Sequence, residues 1–186
     1  MAFYSQEELQ NIGFKSLGEN ILISDKTSIY RPNEIVIGDN CRIDDFCILS
    51  GKIILGNNIH IAAYCNLSAG DCSITFKDFS GLAYGCHVFT GSDDYSGKFM
   101  TNPTIPLEYK GLKERDITIG KHAIIGTNSV ILPGASIADG CAIGALSLVI
   151  KKTKPWGIYA GRPAQRIKER KQELLILEAE YLKSKV

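Results

Sequence analysis

The chain has 186 residues, with 21 Lys and Arg against 20 Asp and Glu and a formal net charge of +1. This length suits one domain with a substantial core and a small appendage. The near balance of charge argues against a nucleic-acid binder, because a phosphate backbone selects strongly basic surfaces. The segment MAFYSQEELQ lacks the features of a secretion signal, and no apolar run approaches the roughly 20 residues of a membrane span. We therefore expect a cytoplasmic protein with no membrane span.

The first predicted element is a short helix. Ser5 followed by Glu8 has the capping-box pattern, in which the side chain of each residue satisfies the backbone N–H of the other. The helix is expected to end by Gly13. Residues 1–20 are therefore predicted to form an N-terminal helix and a lead-in to the main domain.

A six-residue repeat occupies most of the chain. An aliphatic residue or Phe recurs at every sixth position, with extra residues after Leu67 and a longer break after Val88. These anchors are Ile37, Ile43, Leu49, Leu55, Ile61, Leu67, Phe76, Leu82, Val88, Ile119, Ile125, Ile131, Ile137, Ile143 and Val149. The residue four positions after an anchor is usually small, and the exceptions are Ile53, Ile59 and Asp71.

This period fits neither a long helix, with about 3.6 residues per turn, nor a simple half-buried strand, with a period of about 2. It fits short strands wound into a coil, with one large and one small inward side chain on each strand. Stacked coils bury a continuous apolar column. The sequence therefore predicts an all-β solenoid over residues 21–163. The glycine after many anchors, as in IGDN and IGKH, is expected to allow a positive φ at the corners.

Two segments depart from the repeat. Residues 94–116, between the anchors Val88 and Ile119, form a long excursion loop that opens at TGSDDYSG. Compact domains rarely carry a loop longer than about 15 residues without a function. From Ala164 onward, apolar residues alternate with charges, so residues 164–186 are predicted to form an amphipathic C-terminal helix.

Most cysteines have a packing explanation. Five of the six occupy the small inward position, namely Cys41, Cys47, Cys65, Cys86 and Cys141. A buried thiol behaves as a small apolar group, and the chain has no CxxC pair. We expect reduced packing residues rather than disulfides or a metal cluster, and Cys72 is expected to lie outside the inward positions.

The repeat units resemble those of the hexapeptide-repeat acyltransferases, whose fold is a left-handed parallel β-helix. Within that family the chain is similar to the galactoside and maltose O-acetyltransferases and the sugar acetyltransferases of bacterial surface polysaccharides. The resemblance rests on NLSAGD at 66–71, TGSDDYSG at 90–97, DITIGKHAIIGTNSVILPGASI at 116–137 and GIYAGRPAQRI at 157–167. It implies a homotrimer with clefts between subunits, acetyl-CoA as cosubstrate, no metal, and a sugar hydroxyl or amine as acceptor in lipopolysaccharide or polysaccharide biosynthesis.

The same resemblance implies site residues. Coenzyme A would run along the C-terminal coils and meet Thr127, Gly144, Ala145, Ser147 and Lys151. Its phosphates would meet basic residues near the last coil, for which Lys152, Arg162, Arg166 and Lys168 are available. Each of these charges is as readily explained as an ordinary solvated side chain.

The chain departs from the family pattern at the expected general base. Asp93 stands where the galactoside-type enzymes have a histidine, and a carboxylate with a pKa near ~4 is a weaker base than imidazole near ~6.5. Burial, or repulsion from Asp94 and Asp71, would raise the pKa of Asp93. The exchange favours an amine acceptor, or an aspartate that only orients the sugar. His60 is the alternative base.

Other residues complete the candidate acceptor site. Asn66, Asp71, Asp94 and Tyr95 are the candidates for substrate binding, and a loop-packing role for Tyr95 is equally compatible with the sequence. His122 lies in the middle of a repeat unit and is expected to be solvated.

Two other functions remain open at this level. Zinc-dependent carbonic anhydrases share the fold and gather three histidine ligands between subunits, but the spacing of His60, His87 and His122 does not reproduce their pattern. A scaffold without catalytic activity is the second alternative, because a fold does not determine a function.

Overall fold

The structure is a computed structural model that describes residues 2–185. In that range the helices are α1 (Gln6–Ile12) and α2 (Leu174–Lys183), and single 3-10 turns occur at Pro32–Glu34 and Leu107–Tyr109. The strands are β1 (Ser16–Leu17), β2 (Leu22–Ile23), β3 (Ser28–Tyr30), β4 (Val36–Ile37), β5 (Arg42–Ile43), β6 (Ile48–Leu55), β7 (His60–Ile61), β8 (Asn66–Phe76), β9 (Gly81–Leu82), β10 (His87–Phe89), β11 (Gly91–Ser92), β12 (Lys113–Glu114), β13 (Ile117–Ile119), β14 (Ile124–Ile125), β15 (Val130–Ile131), β16 (Ala142–Ile143), β17 (Leu148–Val149), β18 (Gly157–Gly161) and β19 (Ala164–Glu169).

These strands wind into a parallel β-helix of about seven turns. One face is a sheet in the order β19-β18-β16-β14-β9-β7-β5-β2. A second sheet covers two faces, because the long strand β6 pairs with β3 at one end and with β4 at the other. The predicted all-β solenoid is confirmed.

The six-residue period sets the core. The anchors are buried, and Ile43, Leu49, Ile61, Val88 and Ile125 have no exposed surface. The cysteines of the small inward position are free and buried as well. Their thiols donate to backbone carbonyls of the next coil, as from Cys47 Sγ to Ala62 O at 3.2 Å. Burial raises the pKa of Cys41 to about 11, so this thiol stays protonated at neutral pH.

The corner glycines have a different role from the predicted one. The residues with positive φ lie three positions after an anchor, as at Asn40 (55°) and Asn58 (58°), whereas Gly38 and Gly56 do not have a positive φ. These glycines are needed because the coils touch there. A Cβ on Gly38 would lie 2.6 Å from Asn57 Oδ1 and 2.7 Å from Gly56 O.

Side chains two residues after an anchor form a ladder between coils, which we call the Asx ladder and which contains Asp39, Asn57, Asp78 and Asp139. Each side-chain oxygen accepts a hydrogen bond from a backbone N–H of the preceding coil. The N–H groups belong to Glu19, Asp39, Asn57 and Lys121, and the N···O distances are 2.8 to 2.9 Å. The ladder therefore satisfies backbone donors at a corner where no strand pairing is available.

The N-terminal helix is confirmed. Ser5 caps α1, its hydroxyl accepts from the Glu8 N–H, and the Glu8 carboxylate accepts from the Ser5 N–H. Gly13 ends the helix in the left-handed region with φ of 85°. Leu9 is fully buried and belongs to the core, so α1 packs its apolar side against the first coils.

The C-terminal helix is shorter than predicted. It begins at Leu174, because residues 164–169 form β19 and pair antiparallel with β18. The prediction from Ala164 failed because the open edge of β18 provides hydrogen-bond partners that the sequence pattern does not reveal. Among residues 2–185, no helix is both long and apolar enough to cross a bilayer.

Helix α2 docks on one corner of the coil. Glu178 lies 2.9 Å from His122 Nε2 and 2.5 Å from Lys121 Nζ, and Tyr181 Oη donates to Asn58 Oδ1 at 3.0 Å. The His122 ring also stacks on Phe79. The prediction that His122 is solvated is therefore wrong, because α2 covers it.

We predict that Gly38→Ala lowers the thermal midpoint of unfolding, with a loss of about 1–3 kcal/mol from forced overpacking against the next coil. Gly91→Ala is the matched control, because its Cβ would meet only Glu114 atoms at 3.6 and 3.8 Å. Thermal unfolding followed by circular dichroism measures both. Equal midpoints for the two variants would contradict the packing role of Gly38.

Candidate active site

The excursion loop is held by a narrow neck. Strands β11 and β12 pair antiparallel, with Gly91 opposite Glu114 and Ser92 opposite Lys113. Beyond this neck, Met100 N–H donates to Tyr109 O at 2.9 Å. The excursion therefore leaves the coil at the end of β10 and returns just before β13.

Asp93 directly follows strand β11 of the neck and precedes the excursion. Its Oδ2 accepts a hydrogen bond from the Asn102 N–H at 2.9 Å, and its Oδ1 lies 3.2 Å from Lys110 Nζ. The side chain of Asp93 is 29% exposed and that of Lys110 only 8%. The Asn102 N–H, followed by the Lys110 ammonium, holds the pKa of Asp93 below its ordinary value of 3.8.

Asp94 has a different environment. Its Oδ2 accepts from the Ser96 hydroxyl at 2.5 Å and from the Ser96 N–H at 3.0 Å. Lys113 Nζ lies 3.7 Å from its other oxygen. The Ser96 hydroxyl is the main cause of a pKa below the ordinary value, outweighing burial. Asp94 is almost buried and closes a tight turn, whereas the adjacent Tyr95 is fully displayed to solvent.

Repulsion among carboxylates does not raise the pKa of Asp93. Asp93 and Asp94 each have their own cation and their own hydrogen-bond donors, and the pKa of each is lowered. Asp71 is exposed and lies 3.8 Å from Arg31. Asp93 is consequently ionised at neutral pH.

His60 lies on a different face, in β7. Its Nε2 is 2.9 Å from Asp44 Oδ2, and Arg42 Nε lies 2.7 Å from the other Asp44 oxygen. Burial raises the pKa of Asp44, but the hydrogen bonds from Arg42 and His60 outweigh it and the pKa stays low. The imidazole borders a cleft of about 390 Å³ that Ser80 and Tyr84 also line. The two candidate bases are not joined by any hydrogen bond or ion pair within residues 2–185.

Asn66 is paired with a histidine of the neighbouring strand. In the sheet register it lies beside His87 of β10. The His87 ring stacks on Phe89, and its Nδ1 is buried without a hydrogen-bond partner among the described residues. Both residues therefore stand on the face that leads to the excursion.

The residues predicted to bind coenzyme A lie in two places. Thr127, Gly144 and Ala145 follow the strands of the last coils at one corner, where Arg162 Nε also donates to Leu146 O at 2.8 Å. The side chain of Ser147 is buried there and donates to Gly144 O at 2.6 Å, so it is not available to a ligand.

The second place is a basic cleft, which we define by Lys151, Lys152, Lys154 and Arg166. It has a volume of about 350 Å³ between the last coil and β19, and Tyr159 and Gln165 also line it. Lys151 and Lys152 are exposed, and Arg166 Nη2 donates to Pro155 O at 3.3 Å. Positive charge therefore concentrates at the C-terminal end of the coil.

Comparison with known proteins identifies the family. Residues 116–151 match the family model "Bacterial transferase hexapeptide (six repeats)". The chain is 40% identical to an Escherichia coli dTDP-4-amino-4,6-dideoxy-D-glucose acyltransferase, over 100% of this chain and 98% of the relative. The chain belongs to the hexapeptide-repeat acyltransferases. The left-handed parallel β-helix implied by the resemblance to this family is confirmed.

A solved acyltransferase of this family superimposes closely on the chain. It is AntD, an N-acyltransferase from Bacillus cereus, in complex with dTDP and 3-hydroxybutyryl-CoA. The TM-score is 0.97 and the sequence identity 49%, with 98% of this chain and 97% of AntD covered. A variant of AntD in which one serine is replaced by alanine has been solved with dTDP-4-amino-4,6-dideoxyglucose and coenzyme A. A maltose O-acetyltransferase from Clostridium difficile 630 shares only the fold, at 23% identity and a TM-score of 0.57.

Membership in this family decides between the acyltransferase function and the two alternatives, a zinc-dependent carbonic anhydrase and a scaffold without activity. The chain is an acyltransferase, not a scaffold or a carbonic anhydrase. Within residues 2–185, no three His, Cys, Asp or Glu side chains converge as a metal site. Cys72 is not an activated nucleophile, because burial and then the carboxylates of Asp116, Glu114 and Asp71 raise the pKa of its thiol.

We predict that Asp93→Asn loosens the excursion, because it leaves the buried Lys110 ammonium without its counter-charge. Amide hydrogen exchange over residues 93–112 should become faster, whereas the exposed Asp71→Asn leaves it unchanged. Acid has the same direction of effect: the pKa of Asp93 is lowered by folding, so its contribution is present above about pH 3.8 and is lost as the pH falls through the lower folded value. Unchanged exchange in Asp93→Asn would contradict the pairing.

Proposed function

We propose that this acyltransferase transfers an acetyl group from acetyl-CoA to the 4-amino group of a dTDP-4-amino-4,6-dideoxyhexose. The enzyme acts as a homotrimer in the cytoplasm, and its product is a building block for a surface polysaccharide or lipopolysaccharide. The full-length likeness to a dTDP-4-amino-4,6-dideoxy-D-glucose acyltransferase and to AntD supports the acceptor class. Longer acyl-CoA donors are included, because AntD was solved with 3-hydroxybutyryl-CoA.

The observation that carries the proposal is the ionised Asp93 carboxylate at the opening of the excursion. An amine attacks a thioester without first losing a proton, and its nitrogen becomes strongly acidic only after the C–N bond forms. A carboxylate of low pKa can accept that proton. A sugar hydroxyl needs a base with a pKa nearer to 7, because its proton must leave as the bond forms. Asp93 therefore suits N-acylation better than O-acylation.

The reaction proceeds by direct transfer. The acceptor nitrogen attacks the thioester carbon, the C–N bond forms, and the carbonyl electron pair moves to oxygen. The C–S bond then breaks and coenzyme A leaves as a thiolate. The proton of the acceptor nitrogen passes to Asp93 and finally to the thiolate, so the products are the amide and free coenzyme A. Backbone N–H groups along the last coils are the proposed donors to the oxyanion.

The remaining candidate residues are assigned to binding. Asn66 contacts the sugar from strand β8, and Tyr95 contacts it from the excursion. Asp71, exposed beside Arg31, contacts it from the preceding coil, whereas Asp94 shapes the turn that presents Tyr95. His60, held by Asp44, is the second candidate for the base, contributed across the subunit boundary of the trimer.

We predict turnover of dTDP-4-amino-4,6-dideoxyglucose with acetyl-CoA by the purified protein, which should sediment at three times the chain mass of 20.4 kDa. The matching nucleotide sugar with a 4-hydroxyl should be acylated at least a hundredfold more slowly. Asp93→Asn should lower kcat by about 10²–10⁴, the usual worth of a positioned base. His60→Ala should lower kcat less than tenfold.

Thiol release and mass spectrometry of the product measure these rates. Absence of amide product with every acyl-CoA would overturn the proposed acceptor. Full activity of Asp93→Asn together with an inactive His60→Ala would transfer the role of base to His60.

We place the coenzyme A phosphates in the basic cleft and the pantetheine arm along Thr127, Gly144, Ala145 and the corner near Arg162. Lys151, Lys152 and Arg166 line one cleft, and Arg166 also pairs with Glu169 at 2.8 Å. Small side chains at the corner leave the backbone accessible to the arm. Phosphate groups bind most readily where several cations converge.

We predict that Lys152→Ala raises KM for acetyl-CoA about two- to fivefold, as expected for one partly exposed ion pair worth up to about 1 kcal/mol. The double variant Lys152→Ala/Arg166→Ala should raise it further, with KM for the nucleotide sugar unchanged. Lys171→Ala is the matched control, because this exposed lysine lies outside the cleft. Steady-state kinetics at varied acetyl-CoA concentration measure KM for each variant. An unchanged KM in the double variant would rule out phosphate binding by the cleft.

A further inference from the structure

Lys110 is unusual among the lysines of the excursion. It follows the 3-10 turn Leu107–Tyr109, and only a small part of its side chain is exposed. Lys98 is solvent-exposed, and Lys113 is mostly exposed and pairs with Asp94. A lysine is almost never buried without a paired charge. Among residues 2–185, the ion pair formed by Lys110 is with Asp93, at 3.2 Å.

The ammonium group of Lys110 acts on one atom of the proposed base. Asp93 Oδ1 faces Lys110, and Asp93 Oδ2 faces the Asn102 N–H. One oxygen thus lies in an ion pair with the ammonium group, and the other accepts a hydrogen bond from a different part of the same loop. The adjacent carboxylate, Asp94, has its charge directed to Ser96 and Lys113. The side chain of Lys110 is 8% exposed and its ammonium group lies beside Asp93, so its effect on the reaction would pass through Asp93.

We propose that Lys110 is a positioning residue that fixes the direction and the charge of the Asp93 carboxylate and thereby makes this acyltransferase selective for amine over hydroxyl acceptors. The inference rests on the proposed function. A paired carboxylate is held in one orientation and remains a weak base. It takes the proton of the acidic nitrogen formed after amine attack, but it does not remove a hydroxyl proton during attack.

The test is a double-mutant cycle. Lys110→Met keeps the length of the side chain and removes the charge. We expect kcat for the amino sugar to fall about 10- to 100-fold, with KM for both substrates changed less than twofold. The ratio of amine to hydroxyl turnover should fall at least tenfold. In the Asp93→Asn background, Lys110→Met should cause no further loss, because its effect passes through Asp93.

Two further variants separate this role from a purely structural one. Lys110→Arg retains the charge and should keep at least a tenth of kcat and the full preference for the amine, which a loss of folding would not allow. Lys98→Met, an exposed lysine of the same loop, should match the wild type. Thermal midpoints and hydrogen exchange of residues 93–112 are measured for each protein.

The outcomes are distinct. Failure of the wild type to acylate any amino sugar overturns the proposed function. If the wild type is active, an unchanged kcat and selectivity in Lys110→Met overturns the role of Lys110. An equal loss from Lys110→Met with and without Asp93→Asn overturns the proposed route through Asp93. If Lys110→Met fails to fold, loss of amine preference in a folded Lys110→Arg overturns the proposal.

Discussion

The contact between successive coils is the constraint on which the whole structure depends. Parallel strands stack directly on one another, so each coil must present its large and small inward residues at the same places as the next. At the corner, an Asp or Asn side chain accepts a backbone N–H of the coil before it, and the facing position has no room for a Cβ. A six-residue period in the sequence is the direct result of this stacking.

The excursion exists because one corner is released from that constraint. Between β10 and β13 the chain leaves the stack, and its residues no longer follow the six-residue alternation of inward and outward side chains. It gains order from its own polar contacts instead: a two-strand neck, the turn at Asp94, and the pairing of Asp93 with Asn102 and Lys110. A rigid coil thus carries a loop whose geometry is set by charge and hydrogen bonding, which is a common division of labour between scaffold and site.

The fold was accessible from the sequence because its signal is local and repeated. Every anchor is buried in the same way, so the spacing of the anchors predicts the coil and the packing role of the cysteines. The spacing of Ser5 and Glu8 separately predicts the N-terminal cap. The choice of Asp93 and of the basic residues near the last coil as candidates came from the resemblance to the family, whereas the cleft that Lys152 and Arg166 line is seen only in the structure. The partner of Asp93 could not be predicted from the sequence, because Lys110 lies in the aperiodic loop and nothing in its neighbourhood indicates burial. The cover of α2 over His122 depends on a distant partner, whereas β19 pairs with β18 across a two-residue connection that the amphipathic pattern conceals. The positive φ at Asn40 is a property of the corner geometry rather than of glycine.

The antiparallel return of β19 has a consequence for the assembly of the protein. A stack of identical parallel rungs ends in a row of free N–H and C=O groups that would accept another rung from any chain, as an amyloid template does. Strand β19 occupies that row along β18 with the opposite direction and an exposed, strongly charged sequence, AQRIKE. This face of the solenoid is thereby closed to the addition of another parallel rung at its C-terminal end.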